Sequence, residues 1–462
     1  MGHGSLSILF VAVLLASLSF VACPAGDGSS LHPTASLEEL MDPASCQGCH
    51  PNHFREWSGS MHAYASKDPV FLAMNARLQR ESDSEIGSFC VNCHAPMAVR
   101  LNLTTTGLNL AEIPDYAQGV TCYFCHSAMA SPHPANNGLV LAADGVMRGG
   151  IADPMANTFH LSSYSSLHDR NSQQSSQLCG PCHDIVLPNG LELETTYQEW
   201  QSSLYNQPSE KGGLTCSACH MDGRDDVAAN VADAPIRRVH SHMMPGVDIA
   251  LDDFPERAEQ LSATQAMLDT TLLTQLCVES LPGGFTEIAV VLENITAGHA
   301  WPSGSTVDRR AWVEVHAYSG EEEVFRTGVI GDQEVVNEVQ DDNLWVLGHR
   351  ALGANGEEAE LFADAVQLQG QVLPVATARL PSDPGYTETH VTHTMLVPGD
   401  NVDRVEMTVH IRPMALDVMD SLIESGDLDP SYRETIPTFE LAASRVQWRA
   451  ENATRCQPDS LR

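Results

Sequence analysis

The sequence predicts an α+β multidomain fold, in which a mostly α-helical and irregular module precedes an antiparallel β-sandwich domain. Three observations carry this. A chain of 462 residues is longer than one small core needs. Its first half holds the pentapeptide Cys-x-x-Cys-His five times, set among short helical pieces and long irregular connections. Its second half lacks the motif and shows β-branched or alternating runs divided by glycine and proline turns.

The five copies are Cys46, Cys49 and His50; Cys90, Cys93 and His94; Cys122, Cys125 and His126; Cys179, Cys182 and His183; and Cys216, Cys219 and His220. Each reads as a c-type haem attachment site. Two thiols add across the porphyrin vinyl groups, and the histidine that follows is held beneath the ring within reach of the iron. Structural zinc is the rival reading. It gathers four ligands as two pairs, which an odd number of motifs does not supply, and it needs no histidine after every second cysteine. The expected cofactors are therefore five covalently bound haem c groups.

In chain order, 1–22 reads as a signal peptide: the apolar run 8–22 is too short for a membrane span and ends at a processing-like site. Phe20-Val21-Ala22-Cys23 looks like a bacterial lipoprotein box with Cys23 as the lipidated residue, although leucine is missing from its first position and Met1–Ser7 carries no lysine or arginine. Residues 23–36 are Gly/Ser/Pro-rich and read as a tether. The pentahaem module is placed at 37–248, with helices expected at 37–41 and 71–80. It is poor in large apolar residues, as expected if porphyrins supply the buried surface. The third and fifth motifs share a lead-in, Gly119-Val120-Thr121 against Gly213-Leu214-Thr215, which hints at duplication. A charged helix is expected at 251–267. The β-sandwich domain, 249–462, is assigned strands at 286–292, 312–318, 323–330, 387–396 and 405–411 and a helix at 415–424.

Ten of thirteen cysteines lie in the motifs, leaving Cys23, Cys277 and Cys456. With Cys23 lipidated, an oxidising compartment favours a Cys277–Cys456 disulfide. The net charge of −36, with Lys67 and Lys211 the only lysines, excludes nucleic acid and anionic membrane surfaces as partners. Redox proteins with neutral or basic surfaces fit better.

Each iron needs a decision about its second axial position. A second histidine makes an electron carrier, whereas an open face binds substrate. His53, His62, His133, His160, His168, His240 and His242 are the spare histidines of the module. His62, His160, His168, His240 and His242 are the expected ligands. Proline-flanked His133 is held in reserve, and His53 is assigned to a propionate or solvent. Gly298-His299-Ala300-Trp301-Pro302-Ser303-Gly304 reads as a loop fixed by turn chemistry, with Arg309 and Arg310 pairing propionates or carboxylates. The alternative is His299 approaching a haem at the domain interface.

These residues resemble multihaem c-type cytochromes of the cytochrome c-554 type, related to the haem modules of hydroxylamine oxidoreductase and octahaem reductases. The likeness rests on Cys46 to His50 with Phe54, Trp57, Ser60 and His62 behind it, on Gly119 to His126, and on Phe159, His160 and His168 ahead of Cys179 to Asp184; it spans 43–246. The stretch at His299 resembles a β-rich domain found behind the haems in some of these proteins. The resemblance implies stacked, largely bis-histidine haems passing electrons. The chain has five motifs where the simplest members have four. The expected function is an exported, lipid-anchored electron carrier of the periplasm or outer surface. Reduction or oxidation of a small nitrogen or sulfur compound at one open-face haem, and a structural role in a surface haem assembly, are the alternatives.

Overall fold

The structure is a computed structural model that describes residues 33–359, 361–378, 382–383 and 389–452. The expected signal peptide, Cys23 and Cys456 lie outside these residues. The α+β architecture is as the sequence predicts: short helices and two-stranded ladders first, then two antiparallel sheets.

Capping rather than length makes the first helices. Leu37–Met41 is closed by a capping box in which Ser36 and Glu39 satisfy each other's backbone donors. The longest helix of the first module, Pro69–Glu81, starts with proline at its first turn and Asp68 accepting from the Val70 N–H. The lead-in shared by the third and fifth motifs has a local cause. Thr121 caps Cys122–His126 and Thr215 caps Cys216–His220, each through its side chain. The preceding glycines allow close approach of backbone. A Cβ on Gly119, which has φ +65, would lie 2.8 Å from the His62 carbonyl oxygen, and one on Gly213 would lie 1.5 Å from that of Gln207.

The second module has strands β1 (Leu272–Leu281), β2 (Phe285–Asn294), β3 (Arg310–Ser319), β4 (Glu322–Thr327), β5 (Trp345–Leu352), β6 (Gln367–Gln371), β7 (His390–Pro398), β8 (Arg404–Arg412) and β9 (Phe439–Arg449). One sheet has the order β7-β2-β1. The other runs β6-β5-β3-β8-β9, with β4 also paired to β3. Alternate residues of β2 (Ile288, Val290, Leu292), β3 (Ala311, Val313, Val315, Ala317) and β8 (Val405, Met407, Val409, Ile411) meet in one core, as period-two strands of a sandwich must. The expected strand over 323–330 ends at Thr327, because Gly328 turns at φ +69. The charged helix begins only at Arg257, after Pro255, and runs to Leu268. Strands β1, β5, β6 and β9 were not expected; β1 and β9 are partly exposed and mixed in polarity, so their alternation is weak.

The modules are packed together. Leu416, Met419 and Leu422 of helix Leu416–Glu424 bury against Val70 and Ala73 of Pro69–Glu81. Arg80 closes the contact with two bonds to Asp427, of 2.5 and 2.7 Å. Among the described residues no helix is long and apolar enough to cross a membrane.

Candidate haem sites

One continuous cavity of about 1850 Å³ is lined by all ten motif cysteines and all five motif histidines. Ordinary small-molecule pockets hold roughly 300–1,000 Å³. The space therefore suits several large apolar groups in contact, which tests and supports the haem reading. Residues of the second module, His299 and Arg309 among them, close one wall.

The motif histidines are aimed. Nδ1 of His50 lies 2.6 Å from the Ala228 carbonyl oxygen, that of His94 3.1 Å from Ala65, that of His126 2.5 Å from Arg148, and that of His220 2.8 Å from Pro245. Each carbonyl accepts a hydrogen bond from Nδ1–H, which leaves Nε2 unprotonated and available to a metal. Burial keeps these rings neutral. The pKa of His183 is driven down to about 3, first by desolvation and then by neighbouring His62 and His220.

Two imidazoles on opposite sides of one iron, each with a metal–nitrogen bond of about 2.0 Å, have ring centres roughly 6.3 Å apart. Four motif rings have a partner near that separation: His50 and His160 at 6.3 Å, His183 and His62 at 6.3 Å, His126 and His242 at 6.2 Å, and His220 and His299 at 6.4 Å. His160, His242 and His299 also hold Nδ1 against a carbonyl, of Leu161, His240 and Ala300 respectively, so Nε2 is again free. His94 differs. Its contact is with Phe71, stacked face to face at 4.0 Å, and among the described residues no second imidazole faces it.

His168, expected as a ligand, lies 5.6 Å from His126; its Nε2 donates to the Cys125 carbonyl oxygen at 2.8 Å, and its buried Nδ1 has no hydrogen-bond partner among the described residues. His240, also expected as a ligand, is placed otherwise. His240 accepts from Arg170 at Nδ1, at 3.2 Å, which puts its proton on Nε2. His53 packs edge-on against His242 at 4.8 Å. His133 lies on the surface loop ahead of the strand at 140–141. His299, read from the sequence as part of a turn, is the ring that faces His220. Arg309 and Arg310 pair carboxylates, with Asp248 at 2.7 Å and Asp417 at 3.1 Å.

The thiols of different motifs touch. Cys46 is hydrogen-bonded to Cys122, Cys179 to Cys216, and Cys93 to Cys182. Burial pushes the thiol of Cys125 up to about 12 and that of Cys90 up to about 11, so both are protonated. Cys277 is disulfide-bonded. So is Cys49, and there the disulfide and a thioether are alternatives that require the sulfur to be reduced before haem is attached. Burial also raises the cavity carboxylates, Asp68 to about 6 and Glu194 to about 7.

Residues 45–127, which contain the first three motifs, match the profile of the family described as cytochrome c554 and c-prime. Over that stretch the chain is similar to multihaem c-type cytochromes. The chain is similar in fold to the crystal structure of a penta-haem cytochrome c552 from Thermochromatium tepidum, at 19% identity and a TM-score of 0.58, covering 89% of this chain and 98% of that one. A comparison with curated proteins finds no match.

Proposed function

We propose that this protein is a multihaem c-type cytochrome that holds five haem c groups, four of them between two histidines, and serves as an electron carrier. The carrying observation is the set of four imidazole pairs spaced to span one metal each: His50 with His160, His126 with His242, His183 with His62, and His220 with His299. Bound haem c supplies one-electron chemistry at the axially ligated iron. In three of the pairs the protein holds both imidazoles against backbone carbonyls, and His183 and His62 are held by burial alone, so a change of charge between paired rings requires little rearrangement. Its three inter-motif thiol contacts connect the first site with the third, the second with the fourth, and the fourth with the fifth.

A second reading attaches to His94 alone. Among the described residues no second imidazole ring lies near the metal-spanning separation from His94, which is what an open position for reduction or oxidation of a small nitrogen or sulfur compound requires. Export, lipid anchoring at Cys23 and partners with neutral or basic surfaces complete the proposal, supported by the apolar run at 8–22 and the charge of −36.

Intact-mass measurement of the purified protein tests the count: the mass should exceed that of the polypeptide by five haems, and a bare or zinc-loaded chain would overturn the reading. One equivalent of carbon monoxide bound on reduction is the result expected for an open position at His94.

A further inference from the structure

Beside the fifth motif lies a second cavity of about 390 Å³ that adjoins the large one, sharing Arg170, Asn171, Thr215 and Arg238 with it and lined further by Gln173, Gln207 and Ser209. Ala218 of the motif itself forms part of the wall. Among the described residues no carboxylate lines it, although the chain has 60 acidic residues against 24 basic ones. The composition of the wall is therefore the reverse of that of the protein.

The two arginines converge. A Cβ built on Gly223 would lie 2.5 Å from Arg238 Nε and 2.7 Å from Arg170 Nη1, so these like charges stand no more than roughly 5 Å apart across a glycine, an arrangement that costs free energy without an anion. Their present partners do not cancel the charge. Arg170 donates to two neutral acceptors, the Ala218 carbonyl at 2.6 Å and His240 Nδ1 at 3.2 Å. Arg238 meets Asp225 only at 3.5 Å, with that carboxylate 74% exposed.

We infer that Arg170 and Arg238 form an oxyanion site at the rim of the fifth haem position. Two guanidinium forks, amide side chains of Asn171, Gln173 and Gln207 and the hydroxyl of Ser209 are all donors suited to a small tetrahedral or planar oxyanion. The same chemistry is offered by a free inorganic oxyanion and by the carboxylate of a haem propionate, since both arginines also border the large cavity. Gly223 is the residue that allows the two forks to share one ligand. The propionate source rests on the haem reading of Cys216 to His220; the free-anion source does not.

The test uses the full haem-loaded protein, with haem content measured first so that failure of the haem reading is seen separately. Inorganic phosphate is titrated by calorimetry at low ionic strength into the wild type, Arg238→Gln and Gly223→Ala, and the midpoint potentials of all haems are recorded. Phosphate binding at one equivalent, weakened at least tenfold by either substitution, supports a free-oxyanion site. No phosphate binding, with one midpoint moved in both variants and the others unchanged, supports the propionate. Both variants matching the wild type in phosphate binding and in every midpoint would overturn the inference. Arg238 is 58% exposed, so its replacement leaves folding intact.

Discussion

The two modules of this chain solve burial in opposite ways. The sandwich closes on itself, with Ile288, Leu292, Val315, Leu347, Val405 and Val409 all fully buried in one apolar core. The first module surrounds a cavity of about 1850 Å³ with cysteines, imidazoles and a thin shell of apolar side chains, and its helices beyond Pro69–Glu81 are mostly four to eight residues long. Helices of that length are unstable without tertiary packing. One module thus carries its core in its sequence, and on the proposed haem reading the other needs a prosthetic group to complete it.

The largest expected effect follows directly. Full-length chain produced in a host that attaches no haem should keep the β-sheet circular dichroism of the sandwich while trypsin cuts rapidly within 37–248. Equal protease resistance with and without haem would break the contrast. In the other module, Leu347→Ala removes a fully buried side chain and should cost about 3 kcal/mol of sandwich stability, read by denaturant melting, with haem content unchanged. A smaller and local change is expected of His62→Ala, which uncovers the position facing His183. Carbon monoxide uptake by the reduced protein should rise from one equivalent to two.

The smallest effect concerns the outer face of the sandwich. His316 meets Glu323 at 2.5 Å and Glu314 at 2.9 Å. Burial lowers its pKa, but the bonds to the two carboxylates outweigh this and the net shift is upward. The folded value therefore exceeds an unfolded value of about 6.5, so the stabilisation is complete below about pH 6.5 and lost as pH rises through the folded value. His316→Gln should reduce the fall of melting temperature between pH 6 and 9 by a degree or two and leave haem content unchanged, checked by thermal melts across that range.

What the sequence revealed divides along the same line. Covalent attachment is a local demand, and all five motifs could be read directly. Strands β2, β3 and β8 were legible because their buried faces alternate, whereas β1 and β9 pack partly exposed and mixed surfaces and were not. Second axial positions are tertiary properties. His160 follows Phe159 in a stretch that ends at the right place, but His240 and His242 differ only in which ring turns inward. His299 is brought to face His220 by a loop more than 70 positions later in the chain, so the sequence offered its approach to a haem only as the alternative to a turn-fixed loop. The signal that existed was an unexplained histidine in a Gly/Pro-fixed loop at the boundary of the two modules.

The central claim is four imidazole pairs and one unpaired motif histidine. Low-temperature electron paramagnetic resonance of the fully oxidised protein, with spins integrated against the haem count, tests it most directly. Four low-spin ferric centres and one high-spin centre, the latter abolished with the haem in Cys90→Ala/Cys93→Ala, are the result this account predicts. Five low-spin centres, or a high-spin signal that survives loss of the second motif, would contradict it.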